Sequence, residues 1–292
     1  MILYLMKKIL LFIFLLSLSF SLNLKSQELI AFNQDTLWGY KDKADNIIIK
    51  PQYQYAKKFI KDYAVVIKND STGVINKNNE IIIPFKYNFI QYLENDKFLF
   101  GYRTEYFGEF NMGVIDKDLK IIIPANFYYI EKYKTFYKAT KNVYEILKAI
   151  DSGDLRSVKS LYGLFGLDGK EIIPCKYDQL SFLNDNLIVL EKNNLQALFN
   201  YRGEPITDFI YMVFGDFHDG LAKARIGNKY GFINELGKVV IPVKYDYCNE
   251  YVNGYSIVTL NNKWLALNTK GKIIITPKDS YDDVKKALET IR

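Results

Sequence analysis

The segment GDFHDG at 215–220 holds the chain's one histidine, His218, between Asp216 and Asp219. A histidine beside carboxylates has the composition of a general acid–base pair. Its place in the sequence argues otherwise. In register with it stand KFIKD at 58–62 and EYVNG at 250–254, so His218 falls in a polar connection, where a solvated histidine is the expectation. The two cysteines, Cys175 and Cys248, occupy different columns of the pattern described below. Two separate thiols are the expected state, with pairing left open. One histidine and two scattered cysteines do not make an ordinary zinc site. DKDLK at 116–120 lacks the glycine and terminal glutamate of a calcium loop, and it fills a hairpin-turn column. No phosphate-binding glycine loop, serine elbow or metalloprotease helix is present. The residues therefore point to a chain that is not an enzyme, with no catalytic residue, metal or cofactor. The candidate binding residues are Tyr106, Phe107 and Phe110, three rings within five residues of a polar loop, a composition suited to an interface anchor.

The elements that position these rings are repeated. KEIIPCKYD at 170–178 returns almost unchanged as KVVIPVKYD at 238–246, and weaker copies lie at 46–53, 80–87 and 120–127. Self-similarity at a fixed period marks a repeat architecture. Eleven residues before the proline in the regular copies stands an anchor, and its column reads Gly39, Gly73, Gly113, Gly163, Ala197, Gly231 and Leu265; the fifth and seventh prolines, Pro205 and Pro277, are displaced from this spacing. In the first copy the proline, Pro51, comes one residue late. The basic period is 34, and two junctions are longer. Three residues after the anchor is usually Asx; six after it is Gly, Asn, Asp or, once, Leu119. Asx starts a turn and Gly or Asn closes it with left-handed backbone. The column predicts a hairpin, and a strained turn at Leu119.

The hairpin's first strand, such as GVIN or GFIN, carries the anchor. Its second is the IIIP type, which proline is expected to end. An aromatic follows in every copy: Tyr53, Tyr87, Phe127, Tyr177, Tyr211, Tyr245 and Tyr281. A polar connection then leads to a return strand such as YAVVIK at 63–68 or YSIVTL at 255–260. The fold class is all-β: a tandem array over 27–279 of seven three-stranded antiparallel meanders. The array is open and solenoid-like, with a propeller-like ring as the alternative. Two insertions interrupt the return-to-anchor turns, one at 102–113 and one at about 141–160. In the second, Ile146, Leu147 and Ile150 fall on one side of a helical period, and a small helical hairpin is expected. Residues 280–292 have helical spacing with Ser280 and Asp283 as a capping box. That helix is expected to cover the open strand edge of the last unit.

The motifs WGY at 38–40, YGLFGLDGKEIIPCKYD at 162–178 and YGFINELGKVVIPVKYD at 230–246 resemble the WG-repeat family, a mostly bacterial set. GLAKAR at 220–225 fits the same pattern. The resemblance covers residues 37–282. It departs from the family at Ala197 and Leu265, where glycine is replaced. It implies an all-β interaction module, often found in exported proteins, and brings no catalytic residue.

The start of the chain supports export. Lys7 and Lys8 precede an uncharged run at 9–22, which has the length of a secretory leader and is short for a membrane span. A signal peptide over 1–26 is expected; an uncleaved anchor is the competing reading. Its removal takes three lysines and lowers the formal charge from +6 to +3. Without a concentrated basic face, nucleic acid is not expected as a partner. The reading is a secreted or periplasmic repeat protein, with no stable membrane insertion after signal cleavage, that binds another protein, for example one of the envelope or cell surface. Glycan binding through exposed tyrosines is the alternative. The partner's identity and the oligomeric state stay open.

Overall fold

The computed structural model describes residues 28–105, 108–146 and 156–290. The leader read at 1–26 lies outside the described residues. The fold is all-β: the described strands form seven small antiparallel sheets, followed by one helix. The chain divides into two compact units. One runs to Ala139 and includes Leu167–Gly169; the other holds Thr140–Gly166 and Lys170–Arg292.

The expected three-stranded meander is corrected. Five of the seven sheets have four strands. The additional strand is short and outermost: Tyr55–Ala56, Phe89–Tyr92, Tyr129–Tyr133, Val213–His218 or Tyr247–Cys248. It pairs with the return strand, as Tyr247 with Thr259 and Cys248 with Val258. The chain reaches it through a bend directly after the motif's aromatic. The residue at that bend is the last of KYD, and its role is now visible. The Asp178 carboxylate accepts the Asn193 N–H at 2.7 Å, and the Asp246 carboxylate accepts the Asn261 N–H at 2.9 Å. Each holds the return-to-anchor turn of the sheet being entered. Those turns have two residues with positive φ, such as Asn193 and Asn194 or Asn261 and Asn262, the type I′ geometry that matches strand twist.

Proline does not end its strand. The strands Ile47–Tyr53, Ile81–Tyr87 and Val239–Tyr245 run through it to the aromatic. In the last of these, Tyr230 pairs with Tyr245 and Phe232 with Ile241. Three residues stand opposite one, and Pro242 lies among the three. A bulge is where a strand tolerates the missing N–H. Pro51, one place later, still falls between the paired Ile49 and Tyr53, so its offset changes nothing. The anchor glycine is the single residue facing the bulge. A Cβ on Gly231 would stand 2.6 Å from the Ile241 carbonyl oxygen, and one on Gly39 2.4 Å from that of Ile49.

The hairpin turns follow the Asx column. The Asn234 side-chain oxygen accepts the N–H groups of Leu236 and Lys238 at 3.1 and 3.0 Å. Asp116 does the same for Asp118 and Lys120, so DKDLK is a turn built like the others. Leu119 sits at φ 66° and is half exposed. A leucine in this region costs about 1–2 kcal/mol. Leu119→Gly is therefore expected to stabilise the protein by about 1 kcal/mol, raising the melting temperature by about 2–4 °C in a circular-dichroism melt.

The cores lie between consecutive sheets. In the first unit Tyr40, Ile49 and Tyr53 of one sheet pack on Ala64, Val66 and Ile75 of the next. In the second, Phe232, Ile241 and Tyr245 pack on Cys248, Tyr251, Val258 and Leu267. The rings are the principal fill: Phe232 and Tyr251 meet edge-on at 4.7 Å, and the Tyr251 hydroxyl donates to the Asn268 carbonyl at 2.9 Å. Helix α1 (Tyr281–Glu289) starts at Ser280, whose side chain accepts the Asp283 N–H. It covers the face of the last sheet rather than a strand edge: Val284 and Leu288 lie on Ile257, Ala266 and Ile275. A stack of sheets leaves an apolar face, not only an edge, at its end.

The expected helical insertion is corrected at its two flanks. Residues on both sides of it extend the strands, as Phe136–Ile146 and Arg156–Gly166. The Ser160 hydroxyl donates to the Asn142 amide oxygen at 3.0 Å, a cross-strand contact. Residues 147–155, with Leu147 and Ile150, lie outside the described residues.

Candidate interaction surface

Tyr106 and Phe107 lie outside the described residues. Phe110 opens the strand Phe110–Asp116 and is half-buried, its ring 5.9 Å from that of Phe89. It contributes at least in part to the cover of its own sheet. His218 is at the end of the outer strand Val213–His218, not in a loop. It is exposed, with Nε2 3.0 Å from Glu250 Oε2. Its neighbour Asp219 accepts the Gly254 N–H at 2.8 Å. The histidine thus faces Glu250 on the next sheet, while Asp219 is engaged by backbone. Cys175 and Cys248 are not joined in a disulfide, and burial pushes each thiol up to about 12. Among the described residues no group of three His, Cys, Asp or Glu is placed to hold a metal ion.

Two exposed features recur with the repeat. The first is aliphatic. The IIIP strands begin outward, and of their first three residues only the third is buried. Their first residues, Ile47, Ile81, Ile121, Val239 and Ile273, are between 42% and 60% exposed. Alternation along a strand requires some residue to point out, but it does not require a branched aliphatic one. Glu171 holds that place in the fourth copy, so a charge fits there.

The second feature is aromatic. In the last two sheets Tyr230, Tyr247, Trp264 and Tyr281 form a chain of edge-to-face rings, with centroids 6.2, 6.3 and 5.4 Å apart. Trp38 and Tyr55 repeat the contact at 5.7 Å in the first two sheets. The tryptophan of the motif thus serves as a surface ring against the next outer strand. Sequence reasoning missed this ladder because Tyr247 belongs to the overlooked outer strand. The signal was there: Tyr55, Phe89, Tyr129 and Tyr247 each stand two residues after the motif's aromatic. Lysines and carboxylates flank the ladder. Asp246 is held below the usual carboxylate range, first by its bond with Lys229 and then by the backbone N–H of Asn261.

The model of the WG containing repeat matches this chain five times, at residues 38–70, 73–101, 162–195, 198–230 and 230–264, more than half of its length. The chain belongs to the WG-repeat family. Four of the five WG matches run from an anchor strand through the proline strand to the next return strand, the path described above; in the match at 198–230 the segment holding Pro205 forms isolated bridges instead of a strand. A search of curated proteins gave no match. Solved structures with a similar course include a eukaryotic initiation factor, at 8% identity over 87% of this chain and 96% of that one, with a TM-score of 0.26. PorZ of Porphyromonas gingivalis, described as a surface component of the type-IX secretion system, is 9% identical over 78% of this chain and 38% of its own, at 0.27. A protein of unknown function from Bacteroides caccae is 12% identical over 70% and 89%, at 0.22. These superpositions are loose, and nothing about this chain's activity follows from them. No helix among the described residues is long and apolar enough to cross a membrane.

Proposed function

We propose that this WG-repeat chain is an exported, non-catalytic protein that holds another protein along its repeated surface. In this reading the seven sheets are copies of one 34-residue building unit. The observation that carries the reading is the exposed aliphatic residue at one position of five sheets. Iterated units present iterated side chains, and repeat proteins use such rows as extended binding faces. Exposed apolar surface of this regularity marks contact with a partner. The leader-like composition of 1–26 supports export, and Tyr106 and Phe107, close to Phe110 in the sequence, add candidate anchors.

The test is capture from an envelope extract by the mature chain, read by mass spectrometry. Ile47→Ser, Ile81→Ser and Ile121→Ser together are expected to shift the melting temperature by no more than about 2 °C, because all three side chains are exposed. The triple variant is expected to lose the captured protein. A separate Tyr106→Ser, Phe107→Ser variant assigns the loop its share. If both variants retain what the unchanged chain retains, the reading fails.

A further inference from the structure

The last two sheets and α1 enclose a cleft of about 430 Å³, within the span of small-ligand sites, about 300–1,000 Å³. Its walls come from three elements. Lys223 stands on the strand Leu221–Ile226; Tyr247, Asn249 and Glu250 follow the bend into the last sheet; Tyr281 and Lys285 belong to α1. Tyr247 is 45% exposed and Tyr281 36% exposed, and Trp264 stands edge-on between them. Packing explains neither exposure: the faces of these sheets are already filled by Tyr251, Val258 and Leu267 on one side and by α1 on the other.

The polar groups sit close to the rings. Glu250 joins Lys223 at 3.3 Å and His218 at 3.0 Å, one carboxylate oxygen to each. The Asn249 amide nitrogen is 3.5 Å from the Tyr281 hydroxyl. A protein-binding core is depleted in lysine and glutamate, whereas this lining has two lysines, a glutamate and an amide around the open rings of Tyr247 and Tyr281, with Val252, Tyr255 and Ile257 completing it. A pyranose matches that mixture. Its C–H face lies against the electron-rich face of an aromatic ring, and its hydroxyls both donate and accept, which suits an amide, a carboxylate and ammonium groups placed together. We propose that this cleft binds a saccharide, with one sugar ring on Tyr247 or Tyr281 and its hydroxyls taken by Asn249, Glu250, Lys223 and Lys285. The site goes beyond the protein-holding surface and does not depend on it.

Saturation-transfer NMR on the mature chain tests it, with cellotriose, chitotriose, mannotriose and trigalacturonate as separate probes. Transfer to at least one of them is expected. Tyr247→Ala should abolish it, and Lys285→Ala should weaken binding about tenfold. Lys285 is exposed, so its variant stays decisive even where Tyr247→Ala lowers the melting temperature. Preference for trigalacturonate over the three neutral probes would assign the lysines a carboxylate; preference for a neutral probe would assign them hydroxyls. Transfer to none of the four, or transfer unchanged in both variants, overturns the site.

Discussion

Gly231→Ala is expected to lower stability by about 3 kcal/mol, the upper end for one added methyl in a close-packed site. In a chain of this size that is roughly 6–10 °C in a thermal melt. The cause is local. The added carbon would meet the Ile241 carbonyl oxygen at 2.6 Å and the Pro242 carbonyl at 2.8 Å. All of these are backbone atoms, which no rotamer change moves. Gly163 is as confined, with the Ile173 oxygen and Cys175 Sγ both at 2.6 Å from the same position. The protein contains its own control. Leu265 occupies the anchor column of the last sheet, buried at 2% exposure. There Trp264 pairs with Lys278 and Ala266 with Ile275, so the bulge is one residue shorter than the one opposite Gly231. Ala197, the other departure, faces a segment that forms no strand with it, its β pairing being the isolated bridges Gln196–Tyr211 and Phe199–Pro205. Glycine appears where the full bulge crosses and is absent where it does not. Leu265→Gly should therefore destabilise too, through lost burial. A melt of Gly231→Ala within 1 °C of the unchanged chain would show that the bulge yields, and the account of the anchor would be wrong.

That account bears on what the sequence made visible. The anchor, the Asx turn and the following aromatic were legible because each is fixed by one side chain at one place in the period. Asn234 must accept two N–H groups, and Gly237 must sit at φ 73°. Such demands are local, and they recur. The family and the all-β class followed from them.

What stayed hidden depends on neighbours. The outer strand Tyr247–Cys248 has two residues and exists only because it pairs with the return strand beyond it. No periodicity can be read from so short a segment. Pro242 looked like a strand end because proline lacks a donor, but the bulge requires none there. The run VYEILKAI has helical spacing over a single turn or so, the length at which helix and strand cannot be told apart. The ladder entering it, with Tyr137 and Ala139 buried on their sheet, continues as strand as far as Ile146, so pairing prevailed over the local pattern in the first half of the run. The aromatic ladder was likewise hidden, since its members come from anchor strands, outer strands and α1. Contacts of that kind become visible only when the sheets are stacked.

Alkaline pH should unfold this protein while leaving it intact at neutrality. Burial raises the phenols of Tyr40 and Tyr251 far above the ordinary value of 10, and those of Tyr63 and Tyr137 to about 12. Tyr40 and Tyr251 also donate hydrogen bonds, to the carbonyls of Lys57 at 2.7 Å and Asn268 at 2.9 Å, which a phenolate cannot do. The sign follows from the unfolded chain. Below pH 10 both states keep their protons, and the stability from these groups is fully present. Above pH 10 the unfolded chain ionises and the folded chain resists, so the difference shrinks with each step towards pH 12 and beyond. The thiols of Cys175 and Cys248, raised from 9 to about 12, act in the same direction from slightly lower pH. Several buried groups lose stability in the same direction over the same pH range, so their losses add. The expected result is a urea midpoint that is flat from about pH 7 to 9 and then falls steeply. The share of the phenolate absorbance that comes from the buried rings should appear together with the loss of far-UV signal rather than before it. Tyr251→Phe should make that fall shallower, at a cost of about 1 kcal/mol at neutral pH from the lost hydrogen bond. Phenolate absorbance developing in full while the sheet signal persists would mean that these rings are open to solvent and do not fill the spaces between sheets.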